Sequence, residues 1–272
     1  RRRPVSTRAA ARRGEGSGTK DAHAAVRGLL CGEPDAHAPH ARSSCSVAAV
    51  SGRPEVVRVW TTTADTRVRY DRISRYYELI EGVWERPVRR IGLDALSAAP
   101  GESLIEVGCG PGYALVDIAR AVGQNGRAVG VDLADGMCRV ARWRVIRRRL
   151  SQRAGLVQGD ASRLPLASGS FDGAFMSFVL ELFDTPQIPL VLAECRRVVR
   201  PGGRLVVASL SKEGPEPPMR RLYEQGHARF PRLLDCRPIY AARAVREAGM
   251  EVTSVRTVSL WGLPVEVVRA RT

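Results

Sequence analysis

The sequence predicts an α/β protein built on a doubly wound, seven-stranded, mostly parallel sheet that ends in an antiparallel hairpin. Three observations predict it: short apolar runs alternate with stretches of helical period, a glycine-rich turn joins the first run to the first helix of that alternation, and the last two runs follow each other with no helix between them.

Each element has its own signal. From Val68 to about Leu96 the residues Tyr70, Ile73, Tyr77, Ile80, Trp84, Val88 and Ile91 recur at steps of three and four, broken at Pro87, which predicts two amphipathic helices leading into the sheet. Leu104 to Val107 is an apolar strand that runs into Gly108-Cys109-Gly110-Pro111-Gly112, after which Leu115, Ile118, Ala119 and Val122 repeat at helical spacing. Ala128 to Val131 forms a second strand ending at Asp132, with a helix from Asp135 to Leu150 after it, so the first unit is βαβ with a right-handed crossover. Gly155 to Gln158 is the third strand, closed by Gly159-Asp160, and Phe171 to Phe178 the fourth. A helix from Ile188 to Val199, the turn Arg200-Pro201-Gly202-Gly203 and a fifth strand, Leu205 to Leu210, continue the alternation. Prolines 215, 217, 218, 231 and 238 then interrupt it before a helix near Ala241 to Ala248 and strands at Val252 to Val258 and Val265 to Val268, turning at Trp261-Gly262-Leu263-Pro264.

With 272 residues and 44% hydrophobic content the chain supports one sizeable domain, expected over residues 67–272. Residues 1–66 read as a disordered basic tail, rich in Arg, Ala, Ser, Gly and Pro; a transit-like presequence and translated sequence upstream of a non-methionine start are competing readings, the earliest methionine being Met137. The net charge of +15 is carried almost wholly by arginine, Lys20 and Lys212 being the only lysines. Such charge attracts phosphates or an anionic membrane surface, although an arginine-for-lysine bias of this kind also follows from a GC-rich coding sequence. No apolar run is long enough to span a bilayer. The six cysteines form no C-x-x-C pair, and Cys31, His37, His40 and Cys45, the one grouping with metal-ligand chemistry, sit in a stretch too poor in apolar residues to build a domain around an ion. A reduced, cytoplasmic protein without a metal is therefore expected.

In an open α/β sheet ligands bind beyond the carboxyl ends of the strands. Gly108, Gly110 and Gly112 let the backbone approach a ligand, and the helix behind them presents free amides, though a plain tight turn has the same composition. Tyr113 stands where a dinucleotide fingerprint expects its last glycine, which favours another nucleotide-like ligand. Asp132, at the end of the second strand, can accept hydrogen bonds from both hydroxyls of a ribose or cap the next helix. Asp160 can accept from an exocyclic amine or close a loop turn, and Glu106, within the first strand, needs a donor partner, either a ligand ammonium or the protein itself.

These residues resemble the class I S-adenosylmethionine-dependent methyltransferases, in particular the type-11 group that includes ubiquinone and menaquinone biosynthesis enzymes. Glu106 to Gly112 is similar to the first motif of that family and Val131-Asp132-Leu133-Ala134-Asp135-Gly136-Met137 to its second. Gly159-Asp160-Ala161 resembles the adenine-binding turn, Ser170-Phe171-Asp172 the opening of the fourth strand and Arg197 to Gly203 the turn before the fifth. The resemblance covers about Tyr70 to Arg271 and implies a Rossmann-like fold with S-adenosylmethionine as cofactor. It places Gly108 and Gly110 along the methionine portion, Asp132 at the ribose, and Asp160 with Ala161 at the adenine, with Leu133 also in the cofactor set. Glu106 and Gly112 complete the cofactor set, while Tyr70-Asp71 and Tyr77-Glu78 resemble aromatic-acid pairs that help cover the cofactor. Phe178 to Leu182 departs from the quinone-pathway enzymes.

A sulfonium methyl is already activated, so alignment and exclusion of water carry most of the catalysis. Where the acceptor must lose a proton, His227, Tyr77 and Glu181 are the candidate bases. After the fourth strand there is no Asn-Pro-Pro-aromatic motif, and Cys195 lies mid-helix, which counts against nucleic acid as the acceptor. A solvated face accounts for the arginines between Arg139 and Arg149. The expected acceptor is a small or lipid-like molecule, with a quinone precursor or phospholipid headgroup favoured and peripheral membrane contact permitted. A nicotinamide-dependent oxidoreductase and a non-catalytic S-adenosylmethionine-binding module are the rival readings.

Overall fold

The computed structural model describes residues 56, 65–71, 85–230 and 236–272. Residues 65–71 are helical, and α1 (Arg86–Leu96) follows with Pro87 in its first turn, where a missing N–H costs nothing. The alternation then runs β1 (Ser103–Val107), α2 (Tyr113–Ala121), β2 (Arg127–Asp132), α3 (Asp135–Arg147), β3 (Ala154–Gln158), β4 (Phe171–Ser177), α4 (Ile188–Val198) and β5 (Val199–Leu210). After α5 (Pro218–Arg229) and α6 (Ala241–Glu247) the chain closes with β6 (Glu251–Leu260) and β7 (Leu263–Arg271).

The seven strands lie in the order β3-β2-β1-β4-β5-β7-β6. The pairs from β3 to β5 are parallel, β1 matching Ser103 to Arg127 on β2 and Leu104 to Gly173 on β4, whereas β7 runs antiparallel to both β5 and β6. The sheet therefore reverses its winding between β1 and β4, the place where an open α/β sheet parts its loops into a crevice.

Strand alternation feeds two cores. Ile105, Val107, Val129, Val131, Ala174 and Met176 face α4 and α6, while Leu104, Ala128, Phe175 and Val206 face α1, α2 and Val145 of α3. Because both faces are covered, the central strands read as continuous apolar runs, and each fully buried Leu, Ile, Val or Phe stabilises the fold by about 1.5–3 kcal/mol.

Two boundaries differ from expectation. The Arg200-to-Gly203 turn is absorbed into β5, because Val199 already pairs with Phe171 and the C-terminal Thr272 closes the segment, accepting from Gly202 N and donating its own N–H to Gly203 O. Helix α3 ends at Arg147 rather than Leu150, since Arg149 takes a positive φ of 58°. The final hairpin turns through Trp261 and Gly262 alone, both at positive φ, as a two-residue turn between right-twisted strands requires. Among the described residues no helix is long and apolar enough to cross a membrane.

Candidate active site

Gly108, Gly110 and Gly112 have φ of 70°, 48° and 80°, values that L side chains rarely adopt. At Gly108 space matters as much as conformation: a Cβ there would lie 2.4 Å from Val179 Cγ2, so the loop after β4 sits directly on the glycine turn. The turn is strapped to β2 by Gly108 N and Cys109 N, which both donate to Val131 O at 2.8 and 2.9 Å. Gly112 serves the scaffold instead: a Cβ there would lie 2.8 Å from Ala141 Cβ of α3, so the missing side chain lets α2 start against that helix. Tyr113 turns outward, with the Arg144 guanidinium 3.7 Å from its ring centroid.

Asp132 ties three strand ends together. Its Oδ2 accepts from Gly110 N at 2.8 Å, its Oδ1 from Ala134 N at 2.9 Å, and its backbone carbonyl from Gly159 N at the end of β3 at 2.9 Å. Both carboxylate oxygens are thus oriented by amides, and each keeps a second lone pair for a donor from the cleft. Burial pushes this carboxyl up to about 6 against the pull of those amides, with Asp71 nearby adding to the rise.

Asp160 lines the same cleft, while its Oδ1 accepts from both Ser162 N and Ser162 Oγ at 2.8 Å, an Asx turn that fixes the loop after β3. The helical segment 65–71 covers the opening. Asp71 Oδ1 accepts from Gly136 N at 2.6 Å and so caps α3, whose own N-cap residue, Ala134, has no side-chain acceptor. That anchor holds Thr66 and Tyr70 over the cavity.

The cleft has an empty volume of about 920 Å³, part of it open to solvent. Gly108, Gly110, Asp132, Leu133, Asp160 and Ala161 all line it. Pattern reading did not find Glu85 at the start of α1, Ser177 at the end of β4, or the apolar wall of Phe178, Val179, Leu182 and Phe183. Phe178 carries a signal visible only in three dimensions, a φ of 54° held by its N–H donating to Ala208 O at 2.8 Å. Ser177 Oγ is buried with no hydrogen-bond partner, an orphaned hydroxyl at the edge of the cavity.

The other expected site residues lie elsewhere. Glu106 is buried in β1 on the Leu104 face, between Gly130 and Phe175, and is not among the residues that line the cleft. Glu181 is fully buried in the turn after β4, where its Oε1 accepts from Leu210 N at 3.1 Å and so closes the end of β5. His227 is buried at the end of α5 and does not line the cleft. Neither is among the residues that line the cleft. Tyr77, the Tyr77-Glu78 pair and the Cys31, His37, His40, Cys45 grouping fall outside the described residues. Among the described residues no cluster of His, Cys, Asp or Glu is able to hold a metal ion.

Residues 104–203 match the family model described as "Methyltransferase domain". This segment is similar to methyltransferase domains. It holds the glycine turn, Asp132, Asp160 and the loop after β4 in one unit. The demethylmenaquinone methyltransferase of Beutenbergia cavernae is 37% identical over 163 residues, 58% of this chain and 63% of its own length. The nocamycin O-methyltransferase of Saccharothrix syringae is 35% identical over 149 residues, 55% of this chain and 50% of its own. The chain thus spans about half to just under two thirds of these curated relatives. Among solved structures, the (4+2)-cyclase SpnF superposes with a TM-score of 0.64 at 19% identity, covering 82% of this chain and 99% of that one. The likeness is one of fold, and it extends beyond the matched segment to most of the chain.

Proposed function

We propose that the chain transfers a methyl group from S-adenosylmethionine to a small-molecule or lipid-like acceptor, a quinone precursor or phospholipid headgroup being favoured. The observation that carries this reading is the convergence of four strand ends on one cleft around Asp132, whose two oxygens are aimed by the amides of Gly110 and Ala134. The residues present fit the cofactor. Asp132 offers paired acceptors for vicinal hydroxyls, Asp160 and Ala161 an edge for the adenine, and the Gly108 to Gly110 backbone a surface with no side chain in the way. Ser177 Oγ supplies an unmet donor and acceptor beside it.

When bound, S-adenosylmethionine supplies an electrophilic methyl on sulfur. The apolar wall of Phe178, Val179, Leu182 and Phe183 excludes water and seats an apolar acceptor, while Tyr70 and Glu85 are the groups beside the cavity able to orient a polar end or accept a proton. The names of the two curated relatives support a small organic acceptor. A nicotinamide cofactor fits the cleft less well, because Tyr113 takes the place of the glycine its turn needs and packs under Arg144.

Calorimetry with S-adenosylmethionine and with NADH, followed by methyl transfer to a panel of quinone precursors and lipid headgroups, tests the reading. Binding of the sulfonium cofactor alone, weakened at least tenfold in Asp132→Ala, is expected. Equal binding by that variant overturns the ribose assignment, and tight cofactor binding without turnover on any acceptor leaves the binding-module reading in its place.

A further inference from the structure

The outer face of α3 is not explained by the methyltransferase site. At about 100° per residue, Arg139, Arg142, Trp143, Ile146 and Arg147 fall on one arc of the helix, opposite the buried Met137, Ala141 and Val145. Trp143 and Ile146 are 52% and 59% exposed, side by side at i and i+3, with Arg142 and Arg147 on either flank. Arg148 and Arg149 extend the face past the helix end, both exposed. Among the described residues Arg142, Arg147, Arg148 and Arg149 form no salt bridge, and the one acid on the helix, Asp135, is paired to Arg139.

We infer that this face docks the protein on an anionic bilayer, with Trp143 and Ile146 seated at the acyl boundary and the flanking arginines on lipid phosphates. Interleaved apolar and basic side chains on one helical stripe are what an interfacial helix presents. Nucleic acid fits less well, because the aromatic faces that bases would stack on are occupied. Arg147 lies 5.0 Å from the Trp143 ring centroid, and Arg144 and Arg89 lie 3.7 and 4.9 Å from that of Tyr113. Ile146, of no use to a base or a phosphate, gains from insertion between lipid chains. Trp143 lies about 12 Å along the helix axis from Asp135, where α3 meets the cleft, so docking along α3 sets the cavity beside the bilayer. The inference does not depend on methyl transfer, since vesicle binding is read without turnover.

The test is co-sedimentation of the full chain, at physiological salt, with vesicles of phosphatidylcholine alone and of phosphatidylcholine with phosphatidylglycerol in equal parts. Binding to the mixed vesicles at least about tenfold tighter is expected, with Arg142→Gln/Arg147→Gln losing about twentyfold and Trp143→Ala/Ile146→Ser about tenfold. Arg256→Gln, at an exposed arginine of the β6 edge, should change binding less than about twofold, and circular dichroism should show all variants folded. Vesicle binding that both α3 double variants retain overturns the inference and assigns it to other arginines. Absence of vesicle binding, or Trp143-dependent binding to a single-stranded oligonucleotide in preference to the mixed vesicles, overturns it as well.

Discussion

Asp132 gives the cleft a built-in dependence on pH. Burial holds its carboxyl at about 6 in the unliganded protein, whereas a pair of ribose hydroxyls donating to it favours the ionised form. If binding returns the group to the ordinary range near 4, linkage makes the apparent dissociation constant for S-adenosylmethionine about tenfold weaker at pH 5 than at pH 7, with little change above pH 7. The sign for stability is the opposite. The folded carboxyl keeps a proton that the unfolded chain has already released, so the contribution of Asp132 to unliganded stability is greatest below about pH 4 and falls as pH rises to about 6, by something on the order of 3 kcal/mol. Calorimetric titration across pH 5 to pH 8, paired with urea unfolding of the free protein, reads both slopes. Asp132→Asn should bind about tenfold to a hundredfold more weakly at pH 7 and flatten both profiles. A tenfold slope that survives in Asp132→Asn would refute the reasoning, as would a flat profile in the unmodified chain.

Gly108→Ala combines a left-handed backbone with contact on Val179, and should destabilise the fold by about 1–3 kcal/mol in thermal unfolding. Val179→Ala in that background should recover the packing part and not the backbone part. Asp71→Ala removes the acceptor from Gly136 N and releases the helical segment over the cavity; cofactor affinity should fall severalfold for a stability loss of about 1 kcal/mol, a split seen by measuring binding and melting together. Burial pushes the Cys138 and Cys195 thiols up to about 12, so a native-state thiol titration followed by peptide mapping should label Cys236 and leave those two unmodified until denaturant is added.

The strand order and the cleft were legible for a local reason. Parallel strands buried on both faces leave continuous apolar runs, and their carboxyl ends are marked by residues the backbone itself requires, Gly108 and Gly110 for their φ and Asp132 for the amides it receives. What the chain assembles at long range left no such mark. Glu181 looked available because it follows β4 beside residues that do line the cleft, yet the turn at Leu180–Leu182 rotates it inward to Leu210 N while Leu182 and Phe183 face the cavity. Glu106 has the motif position and lies buried within β1, and His227 belongs to a helix that packs near β7. Glu85 is the converse, a carboxylate with no motif around it that α1 brings to the cavity from before the sheet begins.

The division between what the strand ends fix and what the surrounding segments add bears on specificity. The side of the cleft proposed to hold the cofactor is made by the ends of β1, β2 and β3, all inside residues 104–203, and its geometry is locked by backbone hydrogen bonds from Gly108, Cys109, Gly110 and Gly159. The opposite side is made by the loop after β4, by Glu85 and by the segment with Thr66 and Tyr70, two of the three lying outside the matched domain. Side chains on loops and added helices change without disturbing the sheet, which is how one fold hosts different reactions on different acceptors. Exchanging Phe178, Leu182 or Glu85 should therefore alter which acceptor is methylated while S-adenosylmethionine affinity changes little, and Asp132→Asn should do the reverse.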